Sequence, residues 1–217
     1  MELAIVSVNV ARPRLIADAN GEPVLTAIAK IPLGQNSVFV GATNIAGDAQ
    51  ADLSVHGGLD KAVYAYPTDH WPWWEREKAL SCGPGSFGEN LTLDGADETD
   101  IAIGDRFRWG DAILEVAQPR GPCFKLGIHT GRPDSPQAMT LSGRCGWYLR
   151  VLHEGQAPVR NAHFVRLAAG GGPSVREAFI AVVDPRASEE LRRRVFAAPG
   201  LAESWRQAVA KRLTTSR

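Results

Sequence analysis

The chain has 217 residues, 44% apolar and 22% charged, with 24 Lys and Arg against 24 Asp and Glu. That length supports one large domain, or one domain with a small appendage, and allows a sizeable core. The balanced charge supplies no global field to recruit nucleic acid or an acidic membrane, which leaves a local basic pocket as the sharper idea.

Residues 3–10 are rich in β-branched side chains and partly alternate, which predicts a first strand. The run is short and has no basic flank, so it does not read as a signal peptide. No segment approaches the roughly 20 apolar residues needed to cross a bilayer, and the cytoplasm is the default compartment. Residues 11–22 carry Pro13, Asp18, Asn20 and Gly21 and read as a loop or a wide hairpin. Residues 24–31 look like a strand broken by Pro32 and Gly34, and 37–40 like another, with 41–45 as a candidate extension. Gly57-Gly58 between two apolar runs signals a hairpin with strands at about 52–55 and 61–66.

Pro67 ends the second of these, and Thr68 or Asp69 can cap a helix through about Ala79. Trp71, Trp73 and Trp74 cover more than one face of that helix, so part of it is expected to be buried. Residues 82–86 form a loop, 89–93 and 105–109 short strands, and Gly110-Asp111 a turn into a strand over 112–117. Many short strands separated by glycine and proline suggest a closed barrel or a sandwich. Met139, Leu141, Trp147, Leu149, Val151 and Leu152 give 137–153 a partly helical spacing, weakened by Gly143 and Gly146, so a helix starting after Arg144 is expected. Residues 158–167 return to a strand pattern. Gly170-Gly-Gly-Pro173 reads as a flexible domain junction. Beyond it lie three amphipathic helices. The first opens with the capping box Ser174-Val-Arg-Glu177 and stops at Asp184-Pro185. The second covers 188–197, and the third carries Leu201, Trp205, Val209 and Leu213 at intervals of four. The division is then residues 1–168 as a barrel with inserted helices and 174–217 as a three-helix subdomain.

The strand over 112–117 runs into Gln118-Pro-Arg-Gly-Pro-Cys-Phe-Lys-Leu126. Free cysteine is often only a small buried hydrophobe. Prolines on both sides of Arg120, however, make poor core filling and good loop rigidification. Arg120 and Lys125 lie close to Cys123, and cations or a helix N-terminus lower a thiol's pKa toward the nucleophilic, metal-binding thiolate. Cys82 and Cys145, beside glycines, read as structural. Three widely spaced cysteines without a Cys-x-x-Cys pair indicate neither a disulfide framework nor a zinc ribbon. His56 and Lys61 bracket the glycine pair, where backbone N–H groups can approach an anion, or they are simply solvated turn residues. Asn90 and Arg144 are likewise polar side chains held beside glycine, and Arg150 shares a candidate helix face with Trp147 or is a surface charge. Nicotinamide, ATP, catalytic-zinc and serine-hydrolase motifs are all missing from the sequence.

Taken together, His56-Gly-Gly-Leu-Asp-Lys-Ala-Val-Tyr-Ala-Tyr-Pro67, Phe87-Gly-Glu-Asn-Leu91, Gly104-Asp105, Pro119-Arg-Gly-Pro-Cys-Phe-Lys-Leu126 and Gly143-Arg-Cys-Gly-Trp-Tyr-Leu-Arg150 resemble the MOSC domain, the C-terminal module of molybdenum cofactor sulfurases. Within that family the chain is similar to the bacterial YiiM group over essentially its whole length, three-helix tail included. The resemblance implies a mainly β chain with helices: a distorted closed β-barrel with peripheral helices and a C-terminal three-helix subdomain. It also implies a bound molybdenum cofactor, a molybdopterin-type pterin with Mo, with Cys123 as the thiolate ligand of the metal. By the same resemblance Asn90, Arg120, Lys125 and Arg144 bind the cofactor, and His56 and Lys61 join Cys123 in catalysis.

The implied activity is reduction of N-hydroxylated bases such as 6-N-hydroxylaminopurine, detoxifying base analogues. The implied partners are a small-molecule N-hydroxylated substrate and a separate electron-donor reductase, with no nucleic acid and no membrane. Soft thiolates suit such metal centres, and Arg or Lys gives charge-assisted hydrogen bonds to a cofactor phosphate. Two other readings stay open. One is a carrier that holds the cofactor or a persulfide on Cys123. The other is a metal-free binding module that uses the barrel only as a scaffold.

Overall fold

A computed structural model describes residues 1–52 and 57–215. The first strand, β1 (Glu2–Val10), alternates exposed and buried positions through Ser7. It is then buried on both faces, with Asn9 and Val10 pairing β4 (Ile31–Pro32). Between them β2 (Arg14–Ala17) and β3 (Pro23–Thr26) form the wide hairpin, with Leu15 opposite Leu25. The strand expected over 24–31 therefore divides into β3 and β4, separated by irregular backbone. β5 (Ser37–Val40) does not extend through 41–45; a single bridge joins Val40 to Ile45.

The barrel contains β1, β6 (Val63–Pro67), β7 (Leu91–Asp94), β8 (Arg106–Trp109), β9 (Ala112–Pro119), β10 (Trp147–His153) and β12 (Ala162–Ala168). Neighbours run β12-β8-β9-β10-β6-β7-β1, and the β1–β12 pairing closes the ring. All contacts are antiparallel except β6–β7, whose parallel pairing is bridged by α1 (Trp71–Lys78) and the loop after it. β11 (Gly155–Pro158) pairs β5 outside the ring. The mainly β, closed-barrel expectation holds. Inside lie Trp109, Trp147, Phe107 and Phe164, the last two stacked 4.5 Å apart.

Two expectations are corrected. The strand expected at 52–55 falls largely outside the described residues, but β6 pairs β10 on one side and β7 on the other. With both edges taken, Gly57-Gly58 leads instead into a 3-10 turn, Leu59–Lys61, with Gly58 at φ 97°. The second correction concerns 137–153. The helix lies earlier, as α3 (Ser135–Ser142), with Pro136 in its first turn and Gly143 at φ 67° as its cap. After it comes the strand β10, because Trp147, Leu149 and Val151 recur at period two. Helical spacing arises only by joining Met139 and Leu141 of one element to the strand residues of the next. The turn between them needs glycine: Gly146 has φ 65°, and a Cβ there would sit 2.3 Å from the Ala65 carbonyl oxygen.

The C-terminal helices α4 (Val175–Val183), α5 (Glu189–Ala197) and α6 (Glu203–Thr215) form where capping and spacing place them. Ser174 and Glu177 complete the capping box reciprocally. Phe179, Val195, Trp205 and Val209 join one apolar cluster with the barrel residues. The glycine stretch before them is pinned. The Gly170 N–H donates to Asp105 Oδ1 at 2.7 Å, and the Ile103 N–H donates to the Pro173 carbonyl at 2.9 Å. A Cβ on Gly170 would lie 2.3 Å from the Gly104 carbonyl carbon, whereas nothing lies within 4 Å of one on Gly171. Gly170→Ala is therefore expected to cost roughly 2–4 kcal/mol in urea unfolding, against about 1 kcal/mol for Gly171→Ala, whose penalty is only its positive φ. Equal costs would mean that the backbone at 170 has slack.

Candidate functional site

β9 delivers Arg120 and Cys123 to one end of the barrel. Trp147 pairs with Pro119, and the Arg120 N–H donates to the Gly146 carbonyl at 3.3 Å. Gly121 and Pro122 turn the chain, and Cys123 precedes α2 (Phe124–Thr130) in an extended conformation, φ −127° and ψ 166°. Its carbonyl accepts from the Leu126 N–H at 3.0 Å, while its thiol makes no capping bond and is half-buried. The other two cysteines differ. Burial raises the Cys145 thiol far above its ordinary pKa, and burial, with Glu75 and Glu89 adding to it, pushes Cys82 up to about 12. Neither forms a thiolate near neutrality.

Cys123 stands at the edge of a pocket walled by the chain after β3, residues 49–51 and the ends of β6 and β10. Four cations line it: Lys30, Lys61, Arg120 and Lys125. Lys30 is held by both oxygens of Asp48, at 2.5 and 2.6 Å, and burial lowers its pKa against that pairing. Lys61 is half-buried, and desolvation lowers its pKa with Asp60 opposing. Lys125 Nζ donates to the Leu25 carbonyl at 3.0 Å.

Arg120 is only 5% exposed. Its guanidinium lies 4.8 Å from the Tyr64 ring centre, and Nη1 meets Tyr64 Oη at 3.5 Å and Met139 Sδ at 3.4 Å. Burial works against its charge, but Tyr64, Tyr148 and Cys123 more than offset this and its pKa lies above the ordinary value. Burial raises the pKa of both phenols, with Arg120 opposing. Among the described residues no carboxylate pairs with Arg120. A buried ion costs several kcal/mol unless a counter-charge meets it, so this pocket is built to receive an anion.

The structure thus brings together Cys123, Lys61, Asn90, Arg120 and Lys125. Asn90 also serves the fold: its Oδ1 accepts from the Tyr64 N–H at 3.1 Å, and its Nδ2 donates to Asp48 Oδ2 at 2.9 Å and to the Asn9 carbonyl at 3.2 Å. Arg144 is not among the residues lining this pocket; it lies over Trp73, 4.8 Å from the ring centre. Arg150 sits on β10, not on a helix, and bridges Asp60 at 2.9 Å and Glu115 at 3.0 Å. His56 lies outside the described residues. Sequence reading misses Lys30, Tyr64 and Tyr148. The period-two pattern of Tyr64 and Tyr66 is a signal for the first of the tyrosines; Lys30, inside an expected strand, has none.

Beneath the pocket, His129 Nε2 meets the Gly85 carbonyl at 3.3 Å, tying α2 to the loop that supports Lys30. Burial lowers the His129 pKa below its ordinary 6.5. The folded state then binds fewer protons than the unfolded one, so this residue's contribution is fully present above 6.5 and is lost as pH falls from there through the lower folded value. His129→Gln is expected to flatten the fall in melting temperature between neutral and mildly acidic pH; an unchanged slope would remove His129 from that role.

Among the described residues no group of three or more His, Cys, Asp or Glu could hold a bare metal ion, and no helix is long and apolar enough to cross a membrane. In comparisons with known proteins, the MOSC domain model matches residues 52–169. Protein YiiM of Escherichia coli (strain K12) is 34% identical over 209 residues, covering 94% of this chain and 91% of that protein. The crystal structure of YiiM from Geobacillus stearothermophilus has a TM-score of 0.81 at 34% identity, covering 97% of this chain and 99% of that one. A protein of Gibberella moniliformis (strain M3125 / FGSC 7600) named Reductase is 37% identical over 146 residues, 65% of this chain but 26% of its own length.

Proposed function

Because the chain belongs to the MOSC domain family, we propose that it is a molybdenum-cofactor-dependent reductase of N-hydroxylated bases such as 6-N-hydroxylaminopurine. The observation that carries this reading is a half-buried thiol at the edge of a pocket holding a buried arginine without a carboxylate. Those residues fit the cofactor. Its phosphate would be the anion met by Arg120 and Lys125, with Lys61 on the same wall, and Cys123 would offer its metal a soft thiolate. The bound cofactor supplies two electrons at the reacting N–O bond.

The balance is R–NH–OH + 2e⁻ + 2H⁺ → R–NH₂ + H₂O, in which the N–O bond breaks and the oxygen leaves as water. Arg120 orients the anion, held in turn by Tyr64 and Met139. Lys61 holds a proton at Nζ, and partial burial, by lowering its pKa, makes it a better donor to the departing oxygen. His56 is the other candidate donor. A separate reductase refills the cofactor with electrons; the much longer relative named Reductase supports pairing this kind of domain with such a partner.

The test is elemental and cofactor analysis of protein made in a host that produces the cofactor, followed by turnover of 6-N-hydroxylaminopurine with an artificial electron donor. Molybdenum with turnover is the expected result. Molybdenum without turnover would favour the alternative, a carrier holding the cofactor or a persulfide on Cys123, and protein without molybdenum would leave a metal-free binding module.

A further inference from the structure

A second depression reaches Cys123 from the opposite side, and its chemistry is different. It is a groove open to solvent between the β2–β3 hairpin and α2–α3. Cys123 is the one residue lining both this groove and the basic pocket. The basic pocket presents four cations; the groove presents none, and Asp18 is its single charged residue. Oδ1 of that carboxylate already accepts from the Asn20 and Glu22 N–H groups at 2.8 and 2.9 Å. Pro122, Pro133 and Pro136 make stiff walls, and Gly131, with nothing within 4 Å of where its Cβ would stand, leaves one side open for a flat ring. Phe124, next to the thiol in the chain, is 64% exposed. An aromatic ring held in water beside the thiol has unused stacking surface.

The geometry points to this groove as the substrate subsite of the proposed reaction: it takes the neutral, planar N-hydroxylated heteroaromatic base, stacked on Phe124, while the anionic cofactor occupies the basic pocket. The two ligands then meet only at Cys123. Phe124 is thus a positioning and specificity-determining residue. This inference rests on the proposed reductase reading for its ligand, but not for its test.

The experiment measures direct binding of 6-N-hydroxylaminopurine to the purified chain by calorimetry or ligand-observed NMR, together with KM, kcat and metal content. Phe124→Ala is expected to weaken base binding about tenfold to a hundredfold, and to raise KM in step, while Phe124→Trp restores it. Molybdenum content and the denaturation midpoint of both variants should match wild type, since the ring is mostly in solvent. Ala17→Arg, which puts bulk and charge into the far wall, should weaken binding as well. A chain that binds the base through Phe124 yet contains no molybdenum would retire the reductase reading and support the groove. A chain that turns over the base with KM unaltered in Phe124→Ala and Ala17→Arg would keep the reductase reading and overturn the groove, as would a wild type that does not bind the base at all.

Discussion

Cys123→Ala is expected to lose its molybdenum and to reduce N-hydroxylated bases at least about a hundredfold more slowly, since even the partners of metal ligands cost 10–100-fold when removed. The same variant should unfold within about 1 kcal/mol of wild type, as surface-proximal changes do. The reason is local. Cys123 caps α2 with its backbone alone, in an extended conformation that alanine adopts without strain, and its sulfur is only half-buried. Cys145→Ala is the opposite control: the residue is fully buried, so its loss opens a small cavity and lowers stability while leaving the metal in place. Metal analysis, turnover and urea unfolding on the three proteins separate the cases. Full metal and full turnover in Cys123→Ala would end its role as ligand; partial retention in Cys123→Ser would not, because an oxygen ligand can substitute in part.

Arg120→Met separates function from stability more sharply. Losing a charge-assisted bond to an anion costs about 1.5–3 kcal/mol, so cofactor affinity should fall roughly tenfold to a hundredfold. Folding stability should change far less, by about 1 kcal/mol, because the described partners of Arg120 are Tyr64, Tyr148, Met139 and Cys123, and its removal leaves no described carboxylate buried and unpaired. Methionine keeps an unbranched apolar stem against Met139 and the Tyr64 ring. Denaturation of cofactor-free protein and cofactor retention through dialysis give the two readings. A large loss of stability with retention unchanged would make Arg120 a structural residue.

Much of the fold is legible in the chain's local patterns. The Ser174 capping box and the four-residue spacing of Leu201, Trp205, Val209 and Leu213 specify helices locally, through hydrogen bonds and faces within one turn of chain. Cys123 followed by a helix is readable from its prolines and the apolar turn after it. Illegible parts are those in which one local pattern runs into another. Met139 and Leu141 belong to a helix and Trp147, Leu149 and Val151 to a strand, and only the positive φ of Gly143 and Gly146 divides them. Glycine tolerates that conformation but does not announce it, so the contact of Arg144 with Trp73 is not legible in the sequence.

Sequence alone determined the class of the fold, most of its strands and the three terminal helices, because each depends on neighbours a few residues apart. Tertiary structure decided the rest. The ring closes through β1 against β12, and β6 takes β7 as a parallel neighbour and β10 as an antiparallel one, so the glycine pair at 57–58 makes no hairpin with it. Arg120 meets Tyr64 and Tyr148 instead of a carboxylate, and Lys30 meets Asp48 and Asn90's network at the same pocket. Pairing register and the counter-charge of a buried cation are properties of residues far apart in the chain, and no local preference encodes which of them will meet.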